Sequence, residues 1–224
     1  MSDSTPAIVT HNPDLQHHFA TMEQQQEASV MGMWVFLITE IMFFGGMFAG
    51  YMIYRYLYYQ AWVEGSQHMD FWWGTINTVV LLCSSLTMAL AVRATQTGHR
   101  KATVTLLMVT ILFGLAFLGI KGIEYYGHIV RDHQFPGPGF RFAGANTPQV
   151  EMFFSFYFAM TGFHALHMLI GVGLVSVIAY QAWKGRYSAH YYTPVENVGL
   201  YWHFVDIVWI YLYPLFYLIS KIHK

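Results

Sequence analysis

Five long apolar stretches constrain the fold of this chain more than any other feature of its sequence. They lie at residues 30–57, 71–94, 103–127, 150–182 and 196–221. Each can cross a bilayer, because about 20 apolar residues in a helix span the hydrocarbon core. Backbone groups surrounded by lipid must be hydrogen-bonded internally, and stretches of this length achieve this as helices. The sequence therefore predicts an all-α polytopic membrane protein, a bundle of five transmembrane helices.

The composition is typical of a membrane protein. Of the 224 residues, 55% are hydrophobic and 10% are charged, whereas soluble domains carry about 25% charged residues. The formal net charge of -1 offers no basic surface, so we expect no nucleic-acid partner. The single cysteine, Cys83, has no second thiol for an intrachain disulfide. No nucleotide, phosphate or hydrolase motif is recognisable in the sequence.

The chain divides into a polar N-terminal arm at residues 1–29 and a five-helix transmembrane domain at residues 30–224. The arm contains no Lys or Arg and no cleavable-signal pattern, so we expect the first apolar stretch to act as an uncleaved anchor. Residues 58–70 are predicted to form a short polar turn. Residues 128–149 are predicted to form a longer connection, because the prolines and glycines of FPGPGF cannot continue a helix.

The basic residues indicate an orientation in the membrane. Five spans place the two ends of the chain on opposite sides, and Lys and Arg are divided equally between those sides. A short, dense basic cluster at residues 93–101 lies on the N-terminal side. Because short loops rich in Lys and Arg stay in the cytoplasm, we expect the N-terminus in the cytoplasm and the C-terminus on the opposite side.

Glu40 is the most unusual residue of the first apolar stretch, since it lies about ten residues from the start, or about 15 Å deep. A charge near the bilayer centre costs roughly 2.5 to 3.5 kcal/mol on insertion scales. The carboxyl therefore needs a partner, a proton or a water-lined cavity. Further polar residues in the later stretches are candidates for intramembrane contacts: Lys121, Glu124, His164, His167, Glu196, His203 and Asp206.

The spacing of these residues predicts how some of them interact. Lys121 and Glu124 are three residues apart, so they share a helix face and are expected to form an ion pair. His164 and His167 share the same spacing, which suits either hydrogen bonds to neighbouring helices or ligation of a metal or haem. His203 is the obvious further ligand for such a site, although it is also placed to engage Asp206 or a neighbouring helix.

Several segments resemble subunit III of the haem–copper oxidases, the cytochrome c oxidase subunit III family. The segment GMWVFLITEIMFF resembles the family segment that carries an intramembrane glutamate, here Glu40. Four further segments follow in the order of the family, and the likeness covers about residues 30–221. These segments are INTVVLLCSSLT at 76–87, IEYYGH at 123–128, TGFHALHMLIG at 161–171 and ENVGLYWHFVDIVWIYLYP at 196–214.

The resemblance implies an accessory subunit III of an aa3-type cytochrome c oxidase in a bacterial cytoplasmic membrane, with its C-terminus in the periplasm. Such a subunit has no catalytic residue, no metal ligand and no cofactor of its own, because haem and copper belong to partner subunits. It stabilises the catalytic subunit, holds phospholipid and supports proton uptake during oxygen reduction. Its expected partners are oxidase subunit I as the main contact, subunit II, a small subunit IV and membrane lipids.

The resemblance also implies roles for particular residues. Glu40 matches the family carboxyl that reacts with carbodiimide, and the histidines are expected to pack and to form hydrogen bonds. Seven-helix members hold phospholipid in a cleft that involves two helices absent from this chain. Lys184, Arg186 and His190 are candidates for contacts with lipid headgroups, although basic residues also flank transmembrane helices for other reasons.

Three alternatives remain open from the sequence. A quinol oxidase subunit III shares the five-helix form, and a relative associated with nitric oxide reduction belongs to the same family. Glu rather than Asp at position 40, together with the segment EYYGH, favours the cytochrome c branch. An alternative of another class is a self-contained membrane haem or metal protein that uses His164, His167 and His203.

Overall fold

Six α-helices make up most of the structure, a computed structural model that describes residues 15–16, 18–142, 147–189 and 191–219. The described residues contain no β-strand, only an isolated bridge between Ser188 and Tyr191. The prediction of an all-α protein is therefore confirmed for this part of the chain. The helices are α1 (Met22–Leu57), α2 (Tyr59–Ser66), α3 (Phe71–Gln96), α4 (Arg100–Tyr126), α5 (Thr147–Trp183) and α6 (Thr193–Tyr217), and a π-helical turn at Gly127–Arg131 follows α4.

Four helices of the described chain are long and apolar enough to cross a membrane, one fewer than the sequence predicts. They are α1, α3, α4 with its π-helical turn, and α5. The remaining long helix, α6, has 25 residues but is rich in Trp and Tyr and also carries His203 and Asp206. Because about half of its residues are buried by the other helices, α6 does not need an apolar surface on every side.

Two parts of the structure differ from the predicted organisation for clear physical reasons. The first helix begins at Met22 rather than at residue 30, because Thr21 caps it by accepting a hydrogen bond from the backbone N–H of Gln24 at 3.2 Å. The prediction that residues 58–70 form a polar turn is wrong, since they contain α2. Trp62 is fully buried there and packs its ring against Phe153 of α5, which the polar residues around it do not reveal.

Hydroxyl groups join the helices inside the bundle. Thr87 of α3 and Thr110 of α4 share a hydrogen bond of 2.8 Å. One turn earlier on α3, Ser84 accepts a hydrogen bond of 3.0 Å from the indole N–H of Trp202 on α6. Such bonds hold helices together within lipid, where burial of apolar surface gives no force between them. Helix α6 contacts α3, α5 and α1.

Three helices approach one another closely around Trp202. A Cβ atom at Gly114 of α4 would lie 2.8 Å from Cη2 of Trp202, and one at Gly171 of α5 would lie 3.1 Å from the same ring. Any larger residue at Gly114 would collide with the ring. The two glycines therefore allow α4 and α5 to close around the Trp202 side chain.

The α3–α4 and α5–α6 connections lie at the same end of the bundle. Arg100, at the start of α4, donates a hydrogen bond of 3.1 Å from Nε to the carbonyl of Ala182. Its Nη2 also bonds the carbonyl of Trp183, at the end of α5. The chain leaves α5 through Gly185, whose φ of +80° is a left-handed conformation that suits glycine. Arg100 thus caps the C-terminal end of α5.

Candidate functional site: the buried polar residues

Glu40 and His167 meet inside the bundle, although they lie on different helices. Oε2 of Glu40 is 3.0 Å from Nε2 of His167, and their side chains are 19% and 13% exposed. Tyr201 of α6 donates a hydrogen bond of 3.0 Å to the backbone carbonyl of His167. The ring of Phe44, one turn after Glu40, packs edge-on against the imidazole at 5.3 Å. Residues of three helices therefore enclose this carboxyl–imidazole pair.

The contacts of His167 determine which protons the pair carries. Nδ1 is 2.7 Å from the backbone carbonyl of Phe163, and a carbonyl oxygen can only accept, so Nδ1 bears a hydrogen. A hydrogen bond between Nε2 and the Glu40 carboxyl then requires one further proton, carried by either group. With that proton on nitrogen the pair is an imidazolium–carboxylate ion pair, and with it on oxygen both groups are neutral. The pair is uncharged overall in either form, which suits a site at membrane depth.

Lys121 and Glu124 form a second polar cluster, and their three-residue spacing does bring them together. Nζ of Lys121 lies 3.0 Å from Oε2 of Glu124, and the side chains are 6% and 4% exposed. The other carboxylate oxygen accepts hydrogen bonds from the hydroxyls of Tyr157, at 2.6 Å, and Tyr217. The ammonium group also lies 4.7 Å from the centre of the Trp209 ring. Helices α4, α5 and α6 thus meet at a buried ion pair whose oxygens are all engaged.

His164 has a different environment from His167, three residues away. It is 1% exposed, and its ring packs against those of Phe117 and Trp209 at 5.5 and 5.3 Å. Neither ring nitrogen has a hydrogen-bond partner among the described residues. His164 is therefore a packing residue between α4 and α6, whereas His167 turns towards α1.

His203 and Asp206 engage α3 rather than each other. Nδ1 of His203 is 2.8 Å from the hydroxyl of Ser85. Asp206 is 3% exposed, and its position three residues after His203 places it on the face of α6 that meets Ser85. Neither carboxyl oxygen reaches full hydrogen-bonding geometry with a described residue. Asp206 is consequently the least satisfied acidic group inside the described bundle.

His164, His167 and His203 contact three different neighbours. This separation weighs against the alternative of a self-contained haem or metal protein. His164 packs on aromatic rings, His167 bonds Glu40, and His203 bonds Ser85. Within the described ranges, no group of three or more His, Cys, Asp or Glu residues is placed to hold a metal ion. The arrangement joins helices to one another and offers no common centre for a ligand.

The remaining candidate residues lie at the end of the bundle that carries Arg100. Glu196 occupies the first turn of α6, where a carboxylate interacts favourably with the helix dipole. Lys184 and Arg186 are exposed, and Nζ of Lys184 lies 4.5 Å from the centre of the Tyr180 ring. His190, the third candidate for a lipid headgroup, lies outside the described residues. In the same loop, burial raises the pKa of Tyr187 to about 12, so its neutral phenol donates to Gln181.

The local sequence pattern does not predict the tyrosines of the Lys121–Glu124 cluster. Nothing in that pattern distinguishes Tyr157 or Tyr217 from their aromatic neighbours. The available signal is general, since a Tyr hydroxyl buried in a membrane span needs a hydrogen-bond partner. Ser85 carries the same general signal, because a hydroxyl within an apolar helix also needs a hydrogen-bond partner.

An apolar groove of about 400 Å³ runs between α1 and α6. Trp34, Ile41 and Phe48 are among the residues that line it from α1, and Ile207 from α6. His203 lines the same groove, so its imidazole lies between the apolar surface on one side and Ser85 on the other.

Comparisons with known proteins identify the family. The family model for cytochrome c oxidase subunit III matches residues 9–221. Cytochrome c oxidase subunit 3 of Thermostichus vulcanus is 32% identical over 86% of this chain and 88% of its own length. The protein of the same name from Corynebacterium diphtheriae is 32% identical over 96% of this chain and 100% of its own length. Cytochrome bo(3) ubiquinol oxidase subunit 3 of Pseudomonas aeruginosa is 29% identical over 87% of this chain and 86% of its own length. The chain therefore belongs to the cytochrome c oxidase subunit III family.

Proposed function

We propose that this chain is the accessory subunit III of an aa3-type cytochrome c oxidase and carries no redox centre itself. Family membership makes it a multi-pass membrane protein and a subunit of a terminal oxidase complex. One structural observation carries the accessory role: the polar groups of the bundle join helices in separate contacts and do not converge. Glu40 with His167 and Lys121 with Glu124 are the clearest cases. Haem and copper are then supplied by partner subunits.

The electron donor proposed is cytochrome c rather than quinol. Relatives with similar identity carry names from both branches, so overall similarity does not decide between them. The glutamate at position 40 supports the cytochrome c branch, because the resemblance places aspartate there in the quinol branch. Purified complex should oxidise reduced cytochrome c rapidly and ubiquinol poorly; the reverse preference would reassign the chain to the quinol branch.

We propose that α6 is the fifth membrane span and that the membrane is the bacterial cytoplasmic membrane. At 1.5 Å per residue, α6 is about 37 Å long, which exceeds the hydrocarbon thickness of about 30 Å. The α3–α4 and α5–α6 connections share one end of the bundle, and five basic residues lie in the α5–α6 connection or near the ends of α3 and α4 at that end, which supports a cytoplasmic location for that end. These residues are Arg93, Arg100, Lys101, Lys184 and Arg186.

Glu40 is the residue proposed to support proton uptake. Its carboxyl shares a single proton with His167 at 3.0 Å, and transfer of that proton between the two groups changes no net charge. The side chain keeps 19% of its surface accessible, which supports reaction with a carbodiimide as in the resembling family segment. Lys121–Glu124 lacks this freedom, because each of its oxygens is already bonded.

Lipid and partner subunits are proposed to cover the outside of the bundle. The apolar groove between α1 and α6 suits an acyl chain, and the exposed Lys184 and Arg186 suit phosphate headgroups at the end of the bundle. Gly45 and Gly46 of α1 have open space where a Cβ would stand, which supports close approach of a helix from subunit I. Subunit II and a small subunit IV are proposed as further members of the complex.

Co-purification tests this function directly. The chain, tagged in its native host, should retain the haem-bearing subunit I in stoichiometric amount through detergent extraction. Replacement of Lys184 and Arg186 by Ala should lower the phospholipid retained per complex, whereas Arg93→Ala serves as a matched basic control. An active, long-lived oxidase that assembles without the chain in the same host would contradict the proposal.

A further inference from the structure

We infer that Asp206, Ser85 and His203 form a proton-binding site inside the bundle, in which Asp206 holds the proton and His203 connects it with the groove between α1 and α6. This site is separate from the Glu40–His167 pair and does not depend on the role proposed for Glu40. Its ligand is a single proton, and its three residues come from α3 and α6.

The first observation is the isolation of Asp206. Its residue surface is 3% exposed, and it lies three residues after His203, which bonds Ser85 of α3. Neither oxygen of the Asp206 carboxyl has a hydrogen-bond partner among the described residues. A carboxylate ion buried with so few donors is unfavourable in an apolar environment, whereas a neutral acid is tolerated.

The charged and titratable groups on neighbouring helices do not supply a counterion. On α1, Glu40 pairs with His167 of α5. On α4, Lys121 is bonded to Glu124 and to two tyrosine hydroxyls. Glu40, Lys121 and Glu124 are therefore already engaged with other partners.

His164 of α5 is not available as a cation either, because its surroundings favour the uncharged imidazole. It packs between the rings of Phe117 and Trp209, with both nitrogens unbonded among the described residues. An imidazolium without any hydrogen-bond acceptor is costly in such an environment. A proton therefore remains the available means of neutralising Asp206.

The second observation is the connection through Ser85. A hydroxyl donates one hydrogen and accepts others, and Ser85 lies 2.8 Å from Nδ1 of His203. Asp206, three residues after His203, shares the face of α6 that meets Ser85. With Asp206 ionised, Nδ1–H donates to Ser85 and Ser85 donates to the carboxylate. With Asp206 protonated, the acid donates to Ser85 and Ser85 donates to Nδ1. The two states differ by one proton.

Passage between the two states is a balanced proton shift. A proton binds Nε2 of His203, the Nδ1 proton moves to Ser85 Oγ, and the former hydroxyl proton moves to Asp206. No other bond changes and no electron is transferred. His203 lines the apolar groove, and its Nε2 has no hydrogen-bond partner among the described residues. A proton therefore enters the His203–Ser85–Asp206 path at Nε2.

Infrared spectroscopy of the assembled oxidase tests the site, with aspartate labelled by carbon-13 at the side-chain carboxyl. At neutral pH the wild-type complex should show a C=O stretching band of a protonated aspartic acid, shifted by the label and lost in Asp206→Asn. Ser85→Ala should shift the band, and His203→Phe should slow its response to deuterium oxide. Asp132→Asn and Ser176→Ala, both exposed positions, should leave it unchanged.

Two results would overturn the inference. Absence of a label-sensitive protonated band from the wild-type complex at neutral pH would show that Asp206 is ionised. A band unaffected by both Ser85→Ala and His203→Phe would show that the acid is isolated from the groove. If Asp206→Asn prevents assembly, the labelled wild-type and Ser85→Ala complexes still decide the question.

Discussion

The carboxyl of Glu40 lies 3.0 Å from Nε2 of His167, and this contact joins α1 to α5 at the depth where an unpaired charge would be most costly. Helix α1 is otherwise held by few polar contacts: the Tyr51 hydroxyl bonds the carbonyl of Leu215, and the Asn197 amide bonds Ser29. The pair therefore has two consequences. It positions the outermost helix, and under the proposed function it also keeps one transferable proton inside the membrane.

Replacement of Glu40 by Gln separates these two consequences. The amide has nearly the same shape and can donate to Nε2 of His167, so we expect assembly to be retained with a stability change of about 1 kcal/mol or less. It holds no transferable proton and no carboxyl. Carbodiimide labelling of the chain should therefore disappear, and the number of turnovers before inactivation should fall, as measured by oxygen consumption over time.

The matched control for Glu40 is Glu27→Gln, on the polar and exposed beginning of the same helix. That variant should keep both the labelling and the turnover lifetime of the wild type. Unchanged lifetime and unchanged proton uptake in Glu40→Gln would instead leave the pair with a positional role alone.

The Lys121–Glu124 cluster is predicted to be a strong determinant of stability. Lys121→Met leaves the Glu124 carboxylate buried without its cation, and loss of one partner of a buried pair costs about 3 to 5 kcal/mol. The double variant Lys121→Met with Glu124→Gln should recover most of this loss, because no unpaired charge remains. The free energy of unfolding in detergent measures both, with the exposed Lys101→Met as control. Equal stabilities of the single and double variants would show that the two charges are not coupled.

Gly114 is predicted to be intolerant of a side chain. Its Cβ would stand 2.8 Å from the ring of Trp202, so Gly114→Ala should destabilise the bundle by about 1 to 3 kcal/mol through overpacking. Gly122 lies on the same helix with no atom within 4 Å of its Cβ position. Gly122→Ala should be neutral or stabilising by up to about 1 kcal/mol, and thermal unfolding of the two variants should differ accordingly. Similar melting temperatures would contradict the close packing around Trp202.

Arg100 is predicted to hold the connection between α5 and α6. Arg100→Met removes the donors to the carbonyls of Ala182 and Trp183, which should cost about 1 to 3 kcal/mol. Limited proteolysis should then cleave the loop at residues 184–192 faster than in the wild type. The exposed Arg93 provides the control variant Arg93→Met, and equal cleavage rates in all three proteins would exclude this role.

The helical architecture follows from the sequence because long apolar stretches in lipid have a single way to satisfy their backbone. The spacing of Lys121 and Glu124 likewise predicts their contact, since residues three apart on a helix are neighbours. The sequence does not predict helix α2, because Trp62 looks like a surface residue within a polar segment. Only its packing against Phe153 of α5 shows that it is buried.

Local sequence patterns do not predict which residues contact each other between helices. His164 and His167 have the same spacing as Lys121 and Glu124, yet they turn towards different neighbours, because the positions of α1, α4 and α6 decide which partner each ring meets. The composition of α6 has a related explanation. About half of its residues are buried by other helices, so the bundle accommodates polar residues such as His203 and Asp206.

The central claim is that this subunit supports a redox enzyme without containing a redox centre. Its most direct test is the haem and copper content of the oxidase purified with and without this chain, together with the optical spectrum of the isolated full-length chain. We predict equal haem and copper per catalytic subunit in the two preparations, a shorter working life without the chain, and no Soret band in the chain alone. Stoichiometric haem or copper bound to the isolated chain, and lost from the complex that lacks it, would contradict the account.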